Sequence, residues 1–315
     1  MLRLITGRAG SGKTKYAREL ARELVQKGER PVLIVPEQYS FETERAMLSM
    51  LGAASAHNAE VLSFSRLAER ISRISGERQP DRLDRCSRAA AMSVALERAA
   101  EMDELAHYSP GRRRTDLVLH LLDAVIELKQ CAVTAQMLET AAKGADGILG
   151  EKLSELSKIY GMYDAVTERC DPLDALDELC ERLSTSDFFS GRTVIFDSFK
   201  GFTGQEFAVI GQIMRRCSDC VICLYADKSE HFGLFEPVAD TAAKLVSIAR
   251  ENGVRVAVPT RLEDGHRFAN DEIKVLEKSL FRTGSEAYDG NADNTAVYTA
   301  SGRYDEMDFC ARESR

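Results

Sequence analysis

Short runs of apolar residues recur along the chain, and turn residues bound each of them. Leu2–Ile5 leads into glycines, Val32–Val35 is closed by Pro36, and Thr193–Phe196 ends at Asp197. Continuous apolar runs of this length are typical of strands that are buried on both faces of a parallel sheet. Two more runs have the same character, one at Glu60–Leu62 and one at Cys220–Tyr225.

Helical periodicity fills the spaces between these runs. Apolar residues recur three or four positions apart in Lys15–Lys27, Glu42–Leu51 and Gly204–Arg216. Because strands alternate with helices, the pattern predicts an α/β fold with a doubly wound parallel sheet.

The middle of the chain, from about residue 66 to 190, shows helical spacing without strand signals. It predicts a large all-helical subdomain inserted into the sheet domain. We therefore assign residues 1–75 and 191–290 to the sheet domain and 76–190 to the insertion. A strand over Thr295–Ala300 and a helix over Arg303–Ser314 predict that an incomplete second domain begins within 291–315.

The first strand leads into a G-x-x-x-x-G-K-T motif. Glycines let consecutive N–H groups converge on phosphate oxygens at a helix N-terminus. Lys13 would reach the β- and γ-phosphates, and the Thr14 hydroxyl would bind Mg²⁺. A plain glycine turn is the alternative, but the flanking strand and helix favour a P-loop NTPase fold that binds ATP and Mg²⁺. The motif consists of Gly7, Arg8, Ala9, Gly10, Ser11, Gly12, Lys13 and Thr14.

Two other strand ends carry candidate ligands for the nucleotide. Asp197 follows the run Thr193–Phe196, the pattern of a Walker B strand whose aspartate holds Mg²⁺. A turn residue is the alternative for this aspartate. Glu37 and Gln38 leave the second strand at its carboxyl end, where ligands bind in open α/β sheets, so Pro36–Phe41 is a candidate ligand loop.

Composition narrows the class of protein only moderately. The formal net charge is −8 at pH 7, so the protein as a whole is not basic, as many nucleic-acid-binding proteins are. A local basic groove could still bind nucleic acid. The apolar runs are much shorter than a membrane span, and the first strand enters the glycine motif where a secretion signal would lie. We expect a cytoplasmic protein without membrane contact.

The 8 cysteines are scattered, which favours reduced thiols over a disulfide framework. Three of them, Cys217, Cys220 and Cys223, form a C-x-x-C-x-x-C pattern that raises a metal site as an alternative. A tetrahedral site needs a fourth ligand, and the odd separation of Cys220 and Cys223 within a strand sends them to opposite faces. Core thiols are therefore favoured.

Several of these stretches together resemble the N-terminal part of the AddB (RexB) family, nuclease subunits that partner the helicase AddA in bacterial double-strand-break processing. The resemblance covers essentially the whole chain. More distantly, the chain is similar to superfamily 1 helicases, whose RecA-like core carries a helical insertion at this place. The matching stretches are Gly7–Thr14, Val35–Gln38, Val61–Ala68 and Phe196–Phe199 with Phe202–Phe207.

The resemblance implies binding of ATP and Mg²⁺, an AddA-like helicase subunit as partner, and DNA as a further ligand. In helicases, the motif at Ser63, Phe64, Ser65 and Arg66 contacts single-stranded DNA, and Phe64 would stack on a base. A core position after a buried strand is the alternative for Phe64. The arginine-rich stretch from Arg66 to Arg88 is either a solvated helix face or a source of phosphate contacts.

Ser198 separates the chain from an active motor. Superfamily 1 helicases have a glutamate after the Walker B aspartate, and a serine cannot polarise the attacking water. The chain also lacks the arginine that the second helicase domain supplies, so we expect ATP and Mg²⁺ binding with little or no hydrolysis. Two alternatives stay open: a DNA-dependent ATPase whose catalytic carboxylate is Glu206 or Glu37, and a P-loop kinase for a small molecule.

Overall fold

The computed structural model describes residues 1–76, 80–103, 105–109, 114–227, 233–263, 265, 267–280, 284–285 and 287–314. Its strands are β1 (Leu2–Gly7), β2 (Val32–Ile34), β3 (Glu60–Leu62), β4 (Thr193–Phe196), β5 (Asp219–Tyr225) and β6 (Thr260–Arg261).

All six strands form one sheet in the order β3-β2-β4-β5-β1-β6, and every pairing in it is parallel. The prediction of an α/β fold with a parallel sheet is confirmed. Because β5 lies between β1 and β4, the strand of the glycine motif and the strand of Asp197 are separated by one strand. Their carboxyl ends nevertheless open on the same edge of the sheet.

Helices connect the strands. None of them within the described ranges is both long and apolar enough to span a membrane. The helices are α1 (Lys13–Gln26), α2 (Glu37–Leu51), α3 (Phe64–Ser75), α4 (Arg85–Met102), α5 (Arg114–Gln130), α6 (Ala135–Lys143), α7 (Gly147–Thr167), α8 (Asp174–Leu183), α9 (Gly204–Arg216), α10 (Glu236–Glu251), α11 (Asp271–Ser279) and α12 (Arg303–Glu313).

Both faces of the sheet are covered, because successive residues of a strand point to opposite faces. Leu4 and Ile222 belong to the core on one face, whereas Ile5 and Val221 belong to the core on the other. Burying apolar side chains on both faces explains why these strands appear in the sequence as unbroken apolar runs.

The helices α4 to α7 surround a separate apolar core between β3 and β4 in the chain. Met92, Leu122 and Tyr163 are fully buried there. The next helix, α8, packs instead against α3 and α9, with Leu179 and Leu183 in the core beside the sheet. The subdomain boundaries at residues 76 and 190 remain predictions from the sequence.

Two local expectations differ from the structure. The expected ligand loop Pro36–Phe41 is helical from Glu37 onward, because Pro36 suits a helix start and Glu37 lies favourably in the first turn. The expected strand Thr295–Ala300 pairs with no strand in the part of the chain that the structure describes, and the Val297 side chain is exposed. The helix predicted after it is present as α12.

Gly204, the first residue of α9, packs against the backbone just after α5. A Cβ atom on Gly204 would lie 2.3 Å from the carbonyl oxygen of Cys131, just after α5. We expect Gly204→Ala to lower the free energy of unfolding by about 2 kcal/mol, because backbone on both sides has to shift. Urea unfolding followed by circular dichroism measures this change.

Gly161 in α7 offers a matched control. A Cβ atom there would meet its nearest neighbour, Ala135 Cβ, at 3.9 Å, which is ordinary contact. Gly161→Ala should therefore raise stability by about 0.5 to 1 kcal/mol through helix propensity. Equal responses of the two variants would contradict the close packing at Gly204.

Candidate functional site

The glycine motif forms the turn between β1 and the N-terminus of α1. Gly10 and Gly12 have φ angles of 76° and 88°, a conformation that favours glycine. Gly12 is the N-cap residue of α1 and has no side chain to cap the helix. The first N–H groups of α1 therefore point toward the site with their partial positive charge, which is the arrangement that binds anions.

Lys13 lies buried at the centre of this turn. Its Nζ donates hydrogen bonds to the carbonyl oxygens of Gly7 at 2.8 Å and Arg8 at 2.7 Å. It also lies 4.0 Å from the centre of the Tyr225 ring. Burial lowers the pKa of Lys13 to about 8, and Cys223, Asp197 and Glu277 oppose that shift in part. The amine is thus held by neutral oxygens, which a charged phosphate oxygen can replace.

Asp197 follows β4 at the same edge of the sheet. Its backbone N–H donates to Ile34 O at 3.1 Å, which continues the parallel pairing, and its side chain is buried. Only β5 separates it from β1, so the two strand ends are about 10 Å apart. Cys223 of β5 lies between them, and burial, together with the charge of Asp197, raises the pKa of its thiol.

Ser198 has an unusual backbone for a non-glycine residue. Its φ angle is 69°, in the left-handed region, and its Oγ donates to Asp197 Oδ2 at 3.0 Å. Left-handed conformations of such residues are uncommon and are held by surrounding structure, often at functional sites. The Ser198 hydroxyl therefore holds one carboxylate oxygen of Asp197.

The residues present fit a bound phosphate group. Ser11 Oγ is buried and has no hydrogen-bond partner among the described residues, so the loop contains an unused polar atom. A Cβ on Gly7 would lie 2.3 Å from that oxygen and 2.7 Å from the backbone carbonyl oxygen of Leu262, so a larger residue there would displace backbone. The described ranges hold no group of three or more His, Cys, Asp or Glu side chains able to bind a metal ion.

Arg8 is held by two carboxylates from outside the loop. Its Nη1 lies 2.8 Å from Asp227 Oδ2, just after β5, and its Nε lies 2.9 Å from Glu277 Oε1 of α11. Arg261 of β6 also pairs with Asp227. The loop is thus fixed from outside by the C-terminal part of the described chain.

Sequence reasoning missed two residues beside the loop. Tyr225 covers the Lys13 amine, and its place as the last residue of a predicted strand was an available signal. Arg267 packs against the loop, since a Cβ on Gly10 would lie 2.6 Å from Arg267 Cβ. Nothing in the local sequence pattern indicated that contact. Glu37 and Gln38 lie exposed in the first turn of α2, and Thr14 lies half-buried in α1.

The candidate DNA-binding residues begin α3. Ser63 caps the helix by accepting the Arg66 N–H at 3.2 Å. Phe64 is only 7% exposed and packs among Phe196, Phe199 and Phe202, so its ring lies in the core and is not available to a base in this conformation. Ser65 is exposed.

The arginines that follow are largely paired. Arg66 Nη1 lies 2.5 Å from Glu44 Oε1, and the other pairs are Arg70 with Glu60, Arg73 with Glu69, Arg82 with Glu178 and Arg88 with Asp171. Arg78 lies outside the described residues. Arg66, Arg70 and Arg73 form pairs at the surface, whereas Arg82 and Arg88 reach the buried carboxylates of Glu178 and Asp171.

The cysteines of the C-x-x-C-x-x-C pattern do not converge. Cys220 and Cys223 are buried on opposite faces of the sheet, as their odd separation predicts. Cys217 follows α9 and packs at the margin of the core that contains Cys220. The arrangement agrees with core thiols.

An open, all-parallel sheet with a glycine-rich turn at its carboxyl edge defines the doubly wound class of α/β proteins. Within that class, the chain belongs to the family described as "ADDB, N-terminal", whose model matches residues 4–277.

Relatives with curated names support the same family. The chain is 32% identical over 324 residues to the B subunit of the ATP-dependent helicase/deoxyribonuclease of Caldanaerobacter subterraneus subsp. tengcongensis. It is 31% identical to the protein of the same name from Acetivibrio thermocellus and 33% identical to that from Desulforudis audaxviator. Each match covers 99% of this chain and 28% of the relative, so the chain spans little more than a quarter of their length.

Proposed function

We propose that the chain is the nucleotide- and DNA-binding, helicase-like module of an AddAB-type helicase–nuclease that acts in DNA double-strand-break repair and recombination. One observation carries the nucleotide part. The uncapped N-terminus of α1, the buried Lys13 amine and the buried Asp197 carboxylate share one edge of the sheet. The subunit names of the relatives support a partner subunit, which we take to be an AddA-like helicase, and a cytoplasmic location follows from that role.

In this proposal the loop from Gly7 to Thr14 holds the phosphates of ATP. Backbone N–H groups and Ser11 Oγ donate to phosphate oxygens, and Lys13 exchanges its two carbonyl partners for them. Thr14 and Asp197 are the side chains that would hold Mg²⁺. A bound magnesium ion neutralises phosphate charge. We also infer a P-loop, RecA-like domain from 1–75 and 191–290, the helical insertion at 76–190, and the start of a second helicase-like domain at 291–315.

Little or no hydrolysis is the expected behaviour of this site. Ser198 bonds to Asp197 and carries no carboxylate for a water molecule. Glu206 is one alternative for the catalytic carboxylate, but it already forms a hydrogen bond. Its Oε2 accepts the Thr203 N–H at 2.7 Å in the cap of α9. Glu37 is the remaining alternative, and it lies exposed at the start of α2. These contacts favour an inactive or weak motor over an active DNA-dependent ATPase.

DNA contact is the less developed part of the proposal. Ser65 and Arg66 are the candidates that solvent reaches, whereas Ser63 and Phe64 are buried and act in the cap and core of α3. The names of the relatives, which include both helicase and deoxyribonuclease, supply the main support.

ATP turnover by the purified chain, measured with and without single-stranded DNA beside the Mg²⁺-dependent binding of a labelled ATP analogue, tests this function. Binding without turnover supports the proposal. DNA-stimulated turnover would identify a working motor instead, and phosphoryl transfer to a small metabolite would identify a kinase. Absence of nucleotide binding would refute the nucleotide part of the proposal.

Nucleotide affinity should also fall as the pH rises above about 8. Phosphate binds the protonated form of Lys13, whose pKa of about 8 means that the amine loses its proton in this range. Each pH unit above that pKa then costs up to about tenfold in affinity. The charge of the phosphate group stays constant above pH 8, because its final ionisation has a pKa of about 6. Equilibrium binding of the ATP analogue across this pH range measures the effect, and a flat profile would contradict it.

A further inference from the structure

A groove with a volume of about 740 Å³ follows the outer edge of the sheet between α2 and α3. All three residues of β3 line it, and we call it the β3 groove. β3 is the end strand of the six-stranded sheet and pairs on one side only, with β2. The groove therefore lies over an uncovered strand edge, and it is separate from the phosphate loop at the carboxyl end of β1.

The backbone of β3 offers hydrogen-bonding groups to this groove. Glu60 N–H donates to Pro31 O at 3.1 Å, and Leu62 O accepts from Val35 N–H at 2.9 Å, so both residues bond toward β2. In a parallel ladder alternate residues bond to opposite sides. The N–H and C=O of Val61 therefore point to the outer edge, where an added strand would complete them.

The wall formed by α2 is apolar and exposed. Phe41 is 76% exposed and Leu48 is 50% exposed, two turns apart on one side of the helix. Both line the groove, next to the buried side chains of Met47 and Val61. Exposed large apolar side chains beside an open strand edge match the way domains bind extended peptides, in which backbone bonds are combined with side-chain pockets.

Charge selects an acidic occupant. The groove is lined by four arginines and three glutamates, and three of the arginines pair with those glutamates across solvent-exposed contacts. Such exposed pairs contribute about 0 to 1 kcal/mol each, so a ligand carboxylate can replace one of the glutamates with little loss of free energy. Arg45 is exposed and makes no ion pair within the described residues.

A peptide fits these features better than a nucleic-acid strand. A sugar–phosphate backbone does not complete the hydrogen-bonding groups of Val61 as an added peptide strand does. We propose that the β3 groove binds an extended segment of the partner subunit in which apolar and acidic residues alternate, added to β3 as a further strand. This inference rests on the subunit role proposed above, but it does not depend on nucleotide binding.

The strand order places the start of the segment that follows β6 at the other end of the sheet from the groove. The chain leaves the sheet from β6, at the opposite end of the order from β3. Five strand spacings separate the two edges, which is about 24 Å. The segment from 260 to 314 that follows β6 therefore starts on the far side of the sheet from the groove.

A model peptide tests the chemistry on this chain. The probe is a fluorescent peptide of alternating valine and glutamate, and its anisotropy reports binding. We expect Arg45→Glu to weaken binding at least about tenfold, whereas Arg98→Glu, the same charge change at an exposed position of α4, should leave it unchanged. A peptide of valine and lysine should bind at least about tenfold more weakly. Equal binding of both peptides, or stronger binding of a thymidine oligonucleotide, would overturn the proposal.

Photo-crosslinking in the assembled two-subunit complex tests the source. A benzoylphenylalanine at position 41 should link to an acidic segment of the partner subunit, identified by mass spectrometry. Position 102 is the matched control, because Met102 is 77% exposed on α4, away from the groove. Links from position 41 to DNA or only to the same subunit, or a yield equal to the control, would refute the proposal. ATP-analogue binding by the same variants separates failure of the groove from failure of the nucleotide site.

Discussion

Lys13→Ala is expected to weaken binding of an ATP analogue by at least about 100-fold, which corresponds to about 2.7 kcal/mol. The buried amine is the cation at the centre of the loop, and its close partners among the described residues are two carbonyl oxygens and the Tyr225 ring. A phosphate group would supply the negative charge that these partners lack. Hydrogen bonds to charged groups contribute about 1.5 to 3 kcal/mol each, so removal of the amine accounts for this loss.

Lys15→Ala is the matched control for Lys13→Ala. Lys15 lies in the same helix, two residues on, but its side chain is exposed. Isothermal titration calorimetry in the presence of Mg²⁺ should give near-unchanged affinity for Lys15→Ala, and circular dichroism should give the same helix content for both variants. A similar loss of affinity in the two variants would mean that general charge, and not the loop, binds the nucleotide.

Asp171→Ala should have the largest effect on stability, a loss of about 3 to 5 kcal/mol in the free energy of unfolding. The carboxylate is completely buried between α7 and α8. It accepts hydrogen bonds from Tyr163 Oη at 2.5 Å, Arg88 Nε at 3.2 Å and Leu173 N at 2.8 Å. Removing it leaves a buried guanidinium without its counter-charge. The loss should appear as a lower urea midpoint.

Glu181→Ala provides the comparison for that change. Glu181 of α8 pairs with Arg169 at 2.9 Å, and both side chains are mostly exposed. Exposed pairs contribute about 0 to 1 kcal/mol, so this variant should unfold near the original midpoint. If Asp171→Ala and Glu181→Ala lowered the free energy of unfolding by similar amounts, burial would not explain the strength of the Asp171 contacts.

The elements of the sheet were predictable from the sequence because their signals are local. Unbroken apolar runs mark β1, β2, β4 and β5, and the glycines of the loop mark the turn after β1. The strand order was not predictable in the same way, since β1 pairs with residues more than 200 positions away. Local pattern carries no information on such distant pairing.

The residues of the candidate site also differ in whether local sequence could predict them. Lys13, Thr14 and Asp197 follow from motif spacing, and the structure brings their strand ends to one edge. The ion pairs of Arg8 with Asp227 and Glu277 join residues far apart in the chain, so no local spacing indicated them. Phe64 shows the opposite problem, because an aromatic residue after a strand has the same local pattern whether it faces a ligand or the core. Its burial among three other phenylalanines depends on β4 and the turn that follows it.

The position of β1 inside the sheet, between β5 and β6, also has a consequence for synthesis of the chain. This strand is synthesised well before its neighbours β5 and β6, which end only at Tyr225 and Arg261. At about 5 to 20 residues per second, roughly 10 to 45 seconds pass before β5 is made. During that time Leu2, Leu4 and Ile5, all nearly inaccessible in the folded protein, have no sheet to join. The nascent apolar segment is thus open to chaperones and to aggregation until the later strands emerge.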